Sequence, residues 1–365
     1  MKNTSLIGLF VLAAGCMPTS HAEPSNSSAT PAVSAQMQDA AVVAGRQLRP
    51  PQADAARLIG AGWLSGMRND YNLSTDAAQR VMVFARSAAN FKESRIWFAR
   101  RYGDGWGVAA EATFSDPRYR DSDPWLTPDG RTMYFVSNRP ISGQAPNASL
   151  DVWRVALGDA GFGVPEHLDA LASEAEELGP ELHDGWLYFN SSRKGGPAKM
   201  AIYRARMNDR GFDAPQPLDA PFNDGAIQGD FTLSRDGRLA VFWSQRGESR
   251  DADLFAACRT AEGWSAAVRL PPPINAPGMD FTPSLTADGK ALRFASMRAS
   301  AHAGDEAQVL NGQANIYVVP AEMAVRATEA ALAAVVADPA QDGCNSKVAR
   351  ACSAMVQAAE ACNNL

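Results

Sequence analysis

Histidine is scarce in this sequence. Only four occur, and the three beyond the first 22 residues, His167, His183 and His302, form no His-x-x-x-His pair. Each reads as a surface histidine rather than a metal ligand or general base. There is no Cys-x-x-Cys, which argues against a structural zinc site or a thioredoxin-like redox motif. No Gly-rich loop of the phosphate-cradling kind is present. Positive charge is not in excess: 34 Lys and Arg face 40 Asp and Glu, for a net charge of −6. That argues against nucleic acid as the main partner. The apolar run from Leu6 to Ala14 is too short for a spanning helix. With 46% hydrophobic and 20% charged residues, the composition is that of a globular chain.

What the chain does have is a repeat. Its clearest copy is Asp123-Pro124-Trp125-Leu126-Thr127-Pro128-Asp129-Gly130-Arg131-Thr132-Met133-Tyr134-Phe135-Val136-Ser137-Asn138-Arg139. Pro128 presets φ for a tight turn and Gly130 can take the positive φ that ends it. Met133, Phe135 and Ser137 then alternate with Tyr134 and Val136, as a strand requires. The pattern returns around Asp184-Gly185, Asp236-Gly237 and Asp288-Gly289, and in degenerate form from Asn72 to Arg86. Each copy leads into a third strand, such as Asp151-Val152-Trp153-Arg154 or Asn315-Ile316-Tyr317-Val318. Four copies add an outer segment of the Gly105-Trp106-Gly107-Val108 kind.

Four short strands at a period of about 50 residues predict an all-β chain, a β-propeller of about five four-stranded blades, with a sixth left open. The blades should span 69–119, 120–176, 177–226, 227–277 and 278–320. The fifth lacks an outer strand after Val319. Residues 57–64, with Gly62-Trp63-Leu64, are expected to supply it; the alternative is a short helix packed under the ring.

The Pro-x-Leu-Ser/Thr-x-Asp-Gly turn, apolar strand, Ser-x-Arg and Asp-Ile/Val-Trp/Tyr series resembles the WD40-like Pro-Asp repeats of TolB-type periplasmic propellers. The resemblance covers roughly residues 69–320. It implies a scaffold role in the cell envelope, although no α/β domain precedes the propeller as it does in TolB-type proteins. A propeller peptidase would need Gly-x-Ser-x-Gly on an added α/β-hydrolase domain, and the chain has neither the motif nor the room.

The flanks divide as follows. Residues 1–22 read as an export signal, with two processing routes open. Leu12-Ala13-Ala14-Gly15-Cys16 resembles a lipobox that would lipidate Cys16. Ser20-His21-Ala22 resembles an ordinary signal peptidase site. Residues 23–54 read as a flexible tether, 55–320 as the propeller, and 321–365 as a helical tail. Periplasmic placement follows from either route, as an outer-membrane lipoprotein under the first. Membrane contact would then come only through the lipid. Without Cys16, four cysteines remain: Cys258, Cys344, Cys352 and Cys362. An even number in an exported chain favours disulfides, with three connectivities open.

Repetition also sorts the candidate functional residues. The turn aspartates (Asp129, Asp184, Asp236, Asp288) and the strand-end arginines (Arg86, Arg139, Arg193, Arg246, Arg298) recur, so they read as scaffold. The positions that differ between blades are the informative ones. Trp125, Glu181, Thr232 and Ser284 should stand at equivalent places on the innermost strands, with Asp123, Asp230 and Asp280 near the strand starts. Together they make an acidic, mixed-polar channel mouth. The expected function is a non-enzymatic scaffold, without cofactor or metal, that presents its channel or face to an envelope protein or cell-wall component. The alternative is a carbohydrate-active hydrolase using Asp123, Glu181 and Asp230, since such enzymes set carboxylates around a channel. The long loops at 140–150 and 299–314 are further recognition candidates.

Overall fold

The computed structural model describes residues 46–48, 50–141, 147–249, 251–261, 263–299 and 312–337. The proposed signal and most of the tether, Cys16, the other end of the tail with Cys344, Cys352 and Cys362, and the middles of both long loops lie outside them.

The described chain is a five-bladed propeller, which settles the blade number. A first short strand, β1 (Arg57–Leu58), precedes the blades. Blade 1 holds β2 (Asn69–Thr75), β3 (Val81–Ser87), β4 (Arg95–Tyr102), β5 (Gly105–Trp106) and β6 (Ala110–Glu111). Blade 2 holds β7 (Asp121–Leu126), β8 (Thr132–Ser137), β9 (Asp151–Gly158), β10 (Gly161–Phe162) and β11 (Glu166–His167). Blade 3 holds β12 (Glu177–His183), β13 (Trp186–Ser191), β14 (Ala201–Asn208), β15 (Gly211–Phe212) and β16 (Gln216–Pro217). Blade 4 holds β17 (Ile227–Leu233), β18 (Leu239–Gln245), β19 (Asp253–Thr260), β20 (Gly263–Trp264) and β21 (Val268–Arg269). Blade 5 holds β22 (Asp280–Leu285), β23 (Ala291–Ser296) and β24 (Asn315–Pro320), and α1 (Ala321–Ala337) follows. All pairings between these strands are antiparallel.

The outer strand of blades 1–4 is broken. Two two-residue pieces, such as β5 and β6, pair separately with the third strand. Blade 5 takes its outer strand from the other end of the chain, because β1 pairs with β24 (Arg57 opposite Val318, Leu58 opposite Tyr317). The Ile59 N–H extends this pairing to the Ile316 carbonyl at 3.0 Å. Closure thus uses Arg57–Leu58 rather than the whole of 57–64. The Gly62-Trp63-Leu64 echo of an outer strand folds instead as a tight turn on the Gly60 carbonyl. Gly60 has φ +66, and a Cβ there would meet Leu64 Cβ at 2.3 Å.

The core sits between blades. Phe84, Phe135, Phe189, Phe242 and Phe294, one from the second strand of each blade, are fully buried. Of the strand tryptophans, Trp106 and Trp153 are buried, and Trp97, Trp186 and Trp264 pack against the same clusters. Each recurring arginine lies against its blade's aromatics: Arg139 over Phe135 and Trp153, Arg193 over Phe189 and Tyr203, Arg298 over Phe294 and Tyr317. It then reaches an acid at the start of the innermost strand: Asp70 from Arg86, Asp121 from Arg139, Glu177 from Arg193 and Asp280 from Arg298. In blade 4 the acid's place is taken by Gln228, and Arg246 donates instead to the Pro221 and Phe222 carbonyls. The turn aspartates tie their own turns: Asp129 Oδ1 accepts from the Thr127 hydroxyl and the Arg131 N–H, and Asp236 and Asp288 do the same. These two residue sets are scaffold.

Ala324 and Val325 of α1 join Leu58, Cys258 and Leu292 in the cluster between blades 4 and 5. Among the described residues no helix is long and apolar enough to cross a membrane.

The closure has a direct consequence. Leu58 is 5% exposed in that cluster. Leu58→Ala is expected to lower unfolding free energy by about 2–4 kcal/mol. Deleting residues 57–64 should cost more, because it also opens a sheet edge. Urea unfolding of both variants checks this; a full-strength midpoint in the deletion would contradict closure by β1.

Candidate functional site

The channel is built from one backbone irregularity repeated five times. Every innermost strand carries a bulge against its neighbour: between Tyr71 and Ser74, Ser122 and Trp125, Leu178 and Glu181, Gly229 and Thr232, and Phe281 and Ser284. In each bulge one residue is left-handed: Asn72 (φ 50), Asp123 (49), Gly179 (58), Asp230 (48) and Thr282 (47). A bulge leaves a backbone N–H without a ladder partner. At four of the five bulges a side chain of the preceding blade accepts that N–H. Asp123 Oδ2 takes the Gly179 N–H at 3.0 Å. The Asp230 carboxylate takes the Thr282 N–H. Thr282 Oγ1 takes the Asn72 N–H at 3.4 Å. Gly179 has no side chain to offer, and Asn190 Oδ1 of the same blade takes the Asp230 N–H at 3.1 Å. Glycine is needed there, since a Cβ would stand 2.3 Å from Asp230 Oδ1 and 2.7 Å from Asn190 Oδ1.

A second ring lies one step along the strands. Ser74, Trp125, Glu181, Thr232 and Ser284 occupy equivalent registers, opposite Val83, Tyr134, Tyr188, Val241 and Arg293. Ser74 Oγ accepts the Leu126 N–H at 3.0 Å, and Thr232 Oγ1 the Leu285 N–H at 3.2 Å. Glu181 Oε1 accepts the Thr232 hydroxyl at 2.9 Å and the Leu233 N–H at 3.4 Å. Arg293 closes this ring toward blade 1, donating from Nη1 to Thr75 Oγ1 at 3.1 Å.

Asp123, Trp125, Glu181, Asp230 and Ser284 therefore line one channel space, and Thr232 binds its wall through Glu181. Asp280 does not join them. It sits two residues before the bulge, in the buried ion pair with Arg298. The space between the carboxylates is about 20 Å³, room for a water and not for a sugar ring. The channel widens only beyond the second ring, into a cavity of about 290 Å³ on the Asp-Gly-turn face. Trp125, Glu181, His183, Arg235 and Arg293 give it its aromatic and ionisable lining. Among the described residues no group of three or more His, Cys, Asp and Glu gathers as a metal site would.

Electrostatics follow from burial. Asp230 keeps accessible surface only partly reduced, yet it faces the lumen deep among protein atoms; that desolvation, then the Asp123 charge, pushes it up to about 8. Desolvation raises Asp123 too, against hydrogen bonds from Ser122 and Gly179. Glu181, equally deep, is pushed up to about 8 by desolvation. Arg293 is lowered to about 10 by desolvation, and so stays a cation at neutral pH. His183 is lowered by desolvation as well and stays neutral there.

Arg293 was not singled out from sequence, although a signal exists. It interrupts the apolar strand Leu292-Arg293-Phe294, and its four sister positions hold Val83, Tyr134, Tyr188 and Val241.

No family model matches the chain, and no curated protein sequence matches it. Solved structures do. An α-L-arabinofuranosidase from Lactobacillus brevis is 15% identical, with TM-score 0.48 over 71% of this chain and 92% of that one. A putative TolB from Agrobacterium tumefaciens is 13% identical, with TM-score 0.42 over 69% and 90%. A thermostable family-43 glycoside hydrolase is 12% identical, with TM-score 0.47 over 71% and 92%. At this level the likeness is one of fold.

Raised carboxylates make stability fall with pH. Between 3.8 and about 8 for Asp230, and 4.5 and about 8 for Glu181, the folded chain holds protons that the unfolded chain releases. Their contribution is complete below the lower values and lost as pH rises through the upper one. The thermal midpoint should fall from pH 5 to pH 9. Asp230→Asn and Glu181→Gln should each remove part of that fall, on the order of 2–4 °C per kcal/mol recovered. Equal pH slopes in wild type and the double variant would contradict the assignment. Asp123, Trp243 and the Thr282 N–H are the groups facing Asp230 in this comparison.

Proposed function

We propose that the chain is a non-enzymatic binding propeller of the cell envelope, whose ligand or partner is received at the channel mouth on the Asp-Gly-turn face. One observation carries this reading: the three channel carboxylates share a space too small for a sugar, and one of them alone reaches the wider cavity. Asp123 and Asp230 border about 20 Å³ and already hold backbone N–H groups of neighbouring blades. Glu181 alone also reaches the 290 Å³ cavity. Glycoside hydrolysis needs two carboxylates about 5–10 Å apart with the sugar between them. A cavity lined by one acid, one indole and two arginines suits recognition better than that chemistry.

The envelope placement rests on the sequence: the 1–22 export signal, the lipobox at Cys16, and the resemblance to WD40-like Pro-Asp repeats of TolB-type proteins. The partner class is an envelope protein or a cell-wall component. A disulfide from Cys258 to a tail cysteine is part of the same proposal. Cys258 is fully buried in the cluster that receives α1, so such a bridge would hold the tail to blades 4 and 5.

The test is a hydrolysis assay with aryl arabinofuranosides and xylosides. Wild-type turnover should equal that of buffer. Turnover that disappears in Glu181→Gln would overturn the binding reading and restore the hydrolase. The mass of the mature protein tests the envelope placement: an unprocessed N-terminus would contradict it.

A further inference from the structure

At the channel mouth, Arg293 is a residue the blade repeat does not require. Its register partners in the other four blades are valine or tyrosine, and all four are buried. A blade therefore folds with an apolar residue at this point. Arg293 is itself only 7% exposed. Removing a guanidinium from water without a counter-charge is costly. Among the described residues it forms no direct ion pair, Asp288 acting on it only through space, and its hydrogen bond runs from Nη1 to Thr75 Oγ1. A guanidinium has five N–H donors in a planar fork. Arg293 lines the cavity.

The geometry points to Arg293 as the anchor of a carboxylate-binding site that takes a small monocarboxylate with an apolar body into the 290 Å³ cavity. This rests on the mouth being a binding site. The fork of arginine matches a carboxylate's two oxygens. The walls beside it are Trp125, Leu182, Leu233 and Leu285, which match an aliphatic or aromatic body rather than a polyol or a bare ion. The charge balance agrees. Glu181 is the one acid of the lining, and at about 8 it is mostly neutral at pH 7. Arg235 adds a second positive charge at the exposed rim. The turn aspartates border the same face, and Asp288 acts on Arg293 through space, so the attraction for an anion is local to the Arg293 fork. A doubly charged phosphate would find one buried fork set beside Trp125, Leu182, Leu233 and Leu285.

Isothermal titration of the full chain at pH 7 with benzoate, benzamide and inorganic phosphate tests this. Benzoate should bind at least tenfold more tightly than its neutral isostere benzamide and than phosphate. Arg293→Met should abolish that preference while leaving the thermal midpoint unchanged or higher, because the sister positions are apolar. Arg293→Lys, which keeps the charge without the fork, should bind benzoate with intermediate affinity; it also serves if the methionine variant fails to fold. Equal binding of benzoate and benzamide, phosphate as tight as benzoate, or benzoate binding unchanged in Arg293→Met overturns the carboxylate assignment and leaves the binding reading standing. No heat with any probe overturns the assignment too, and glycoside turnover, measured separately, is what would overturn the binding reading itself.

Discussion

Each innermost strand leaves one backbone N–H outside its own ladder, and at four of the five bulges a side chain of the neighbouring blade accepts it. The rest of the channel depends on that demand. An unpaired buried N–H costs on the order of 1–3 kcal/mol, so the five bulges would weigh on the fold if left alone. Side chains at the same bulges answer the demand, from Asp123 to Gly179, from Asp230 to Thr282 and from Thr282 to Asn72. Where Gly179 cannot reply, Asn190 does. At Asp123, Asp230 and Thr282 the residue that adopts φ near +50° is also the residue that binds the next blade. Asx side chains tolerate that φ, but Asn72 leaves its Oδ1 buried without a partner.

Two aspartates facing one narrow lumen have a price in charge: burial raises both carboxyls, Asp230 to about 8. The same burial that raises Asp123 and Asp230 removes them from contact with any ligand larger than water. The proposed binding site lies further out, at the ring where Trp125, Glu181 and Arg293 break the blade symmetry. That ring still does structural work through Ser74, Thr232 and Glu181. Trp125 has no acceptor for the next blade, and Arg293 replaces an apolar residue. These departures coincide with a widening of the channel that the carboxylate Glu181 also reaches.

Much of this was legible in the sequence. The turn aspartates and the second-strand aromatics recur, and recurrence is enough to give the blades, although it left a sixth open until the structure showed five. The equivalence of Trp125, Glu181, Thr232 and Ser284 was readable by counting back from the turn. The bulge was not, because its five left-handed residues are Asn, Asp, Gly, Asp and Thr and share no letter. Without it Asp280 looked like a sister of Asp230, when its structural sisters are Asp70, Asp121 and Glu177 in the arginine pairs. Closure was expected from residues 57–64, but the Gly-Trp echo there reflects a turn under Trp63 and Leu64, and pairing is confined to Arg57–Leu58. Arg293 was hidden for the opposite reason: it stands inside an apolar strand whose hydrophobic neighbours carried the pattern.

The most direct measurement is a crystal structure of the protein grown with 4-bromobenzoate, read at the bromine absorption edge. The account predicts one anomalous peak in the cavity beside Trp125, with the carboxylate on the Arg293 fork and the space between Asp123 and Asp230 unchanged. A bromine site elsewhere, or a ligand lying between those two aspartates, would contradict it.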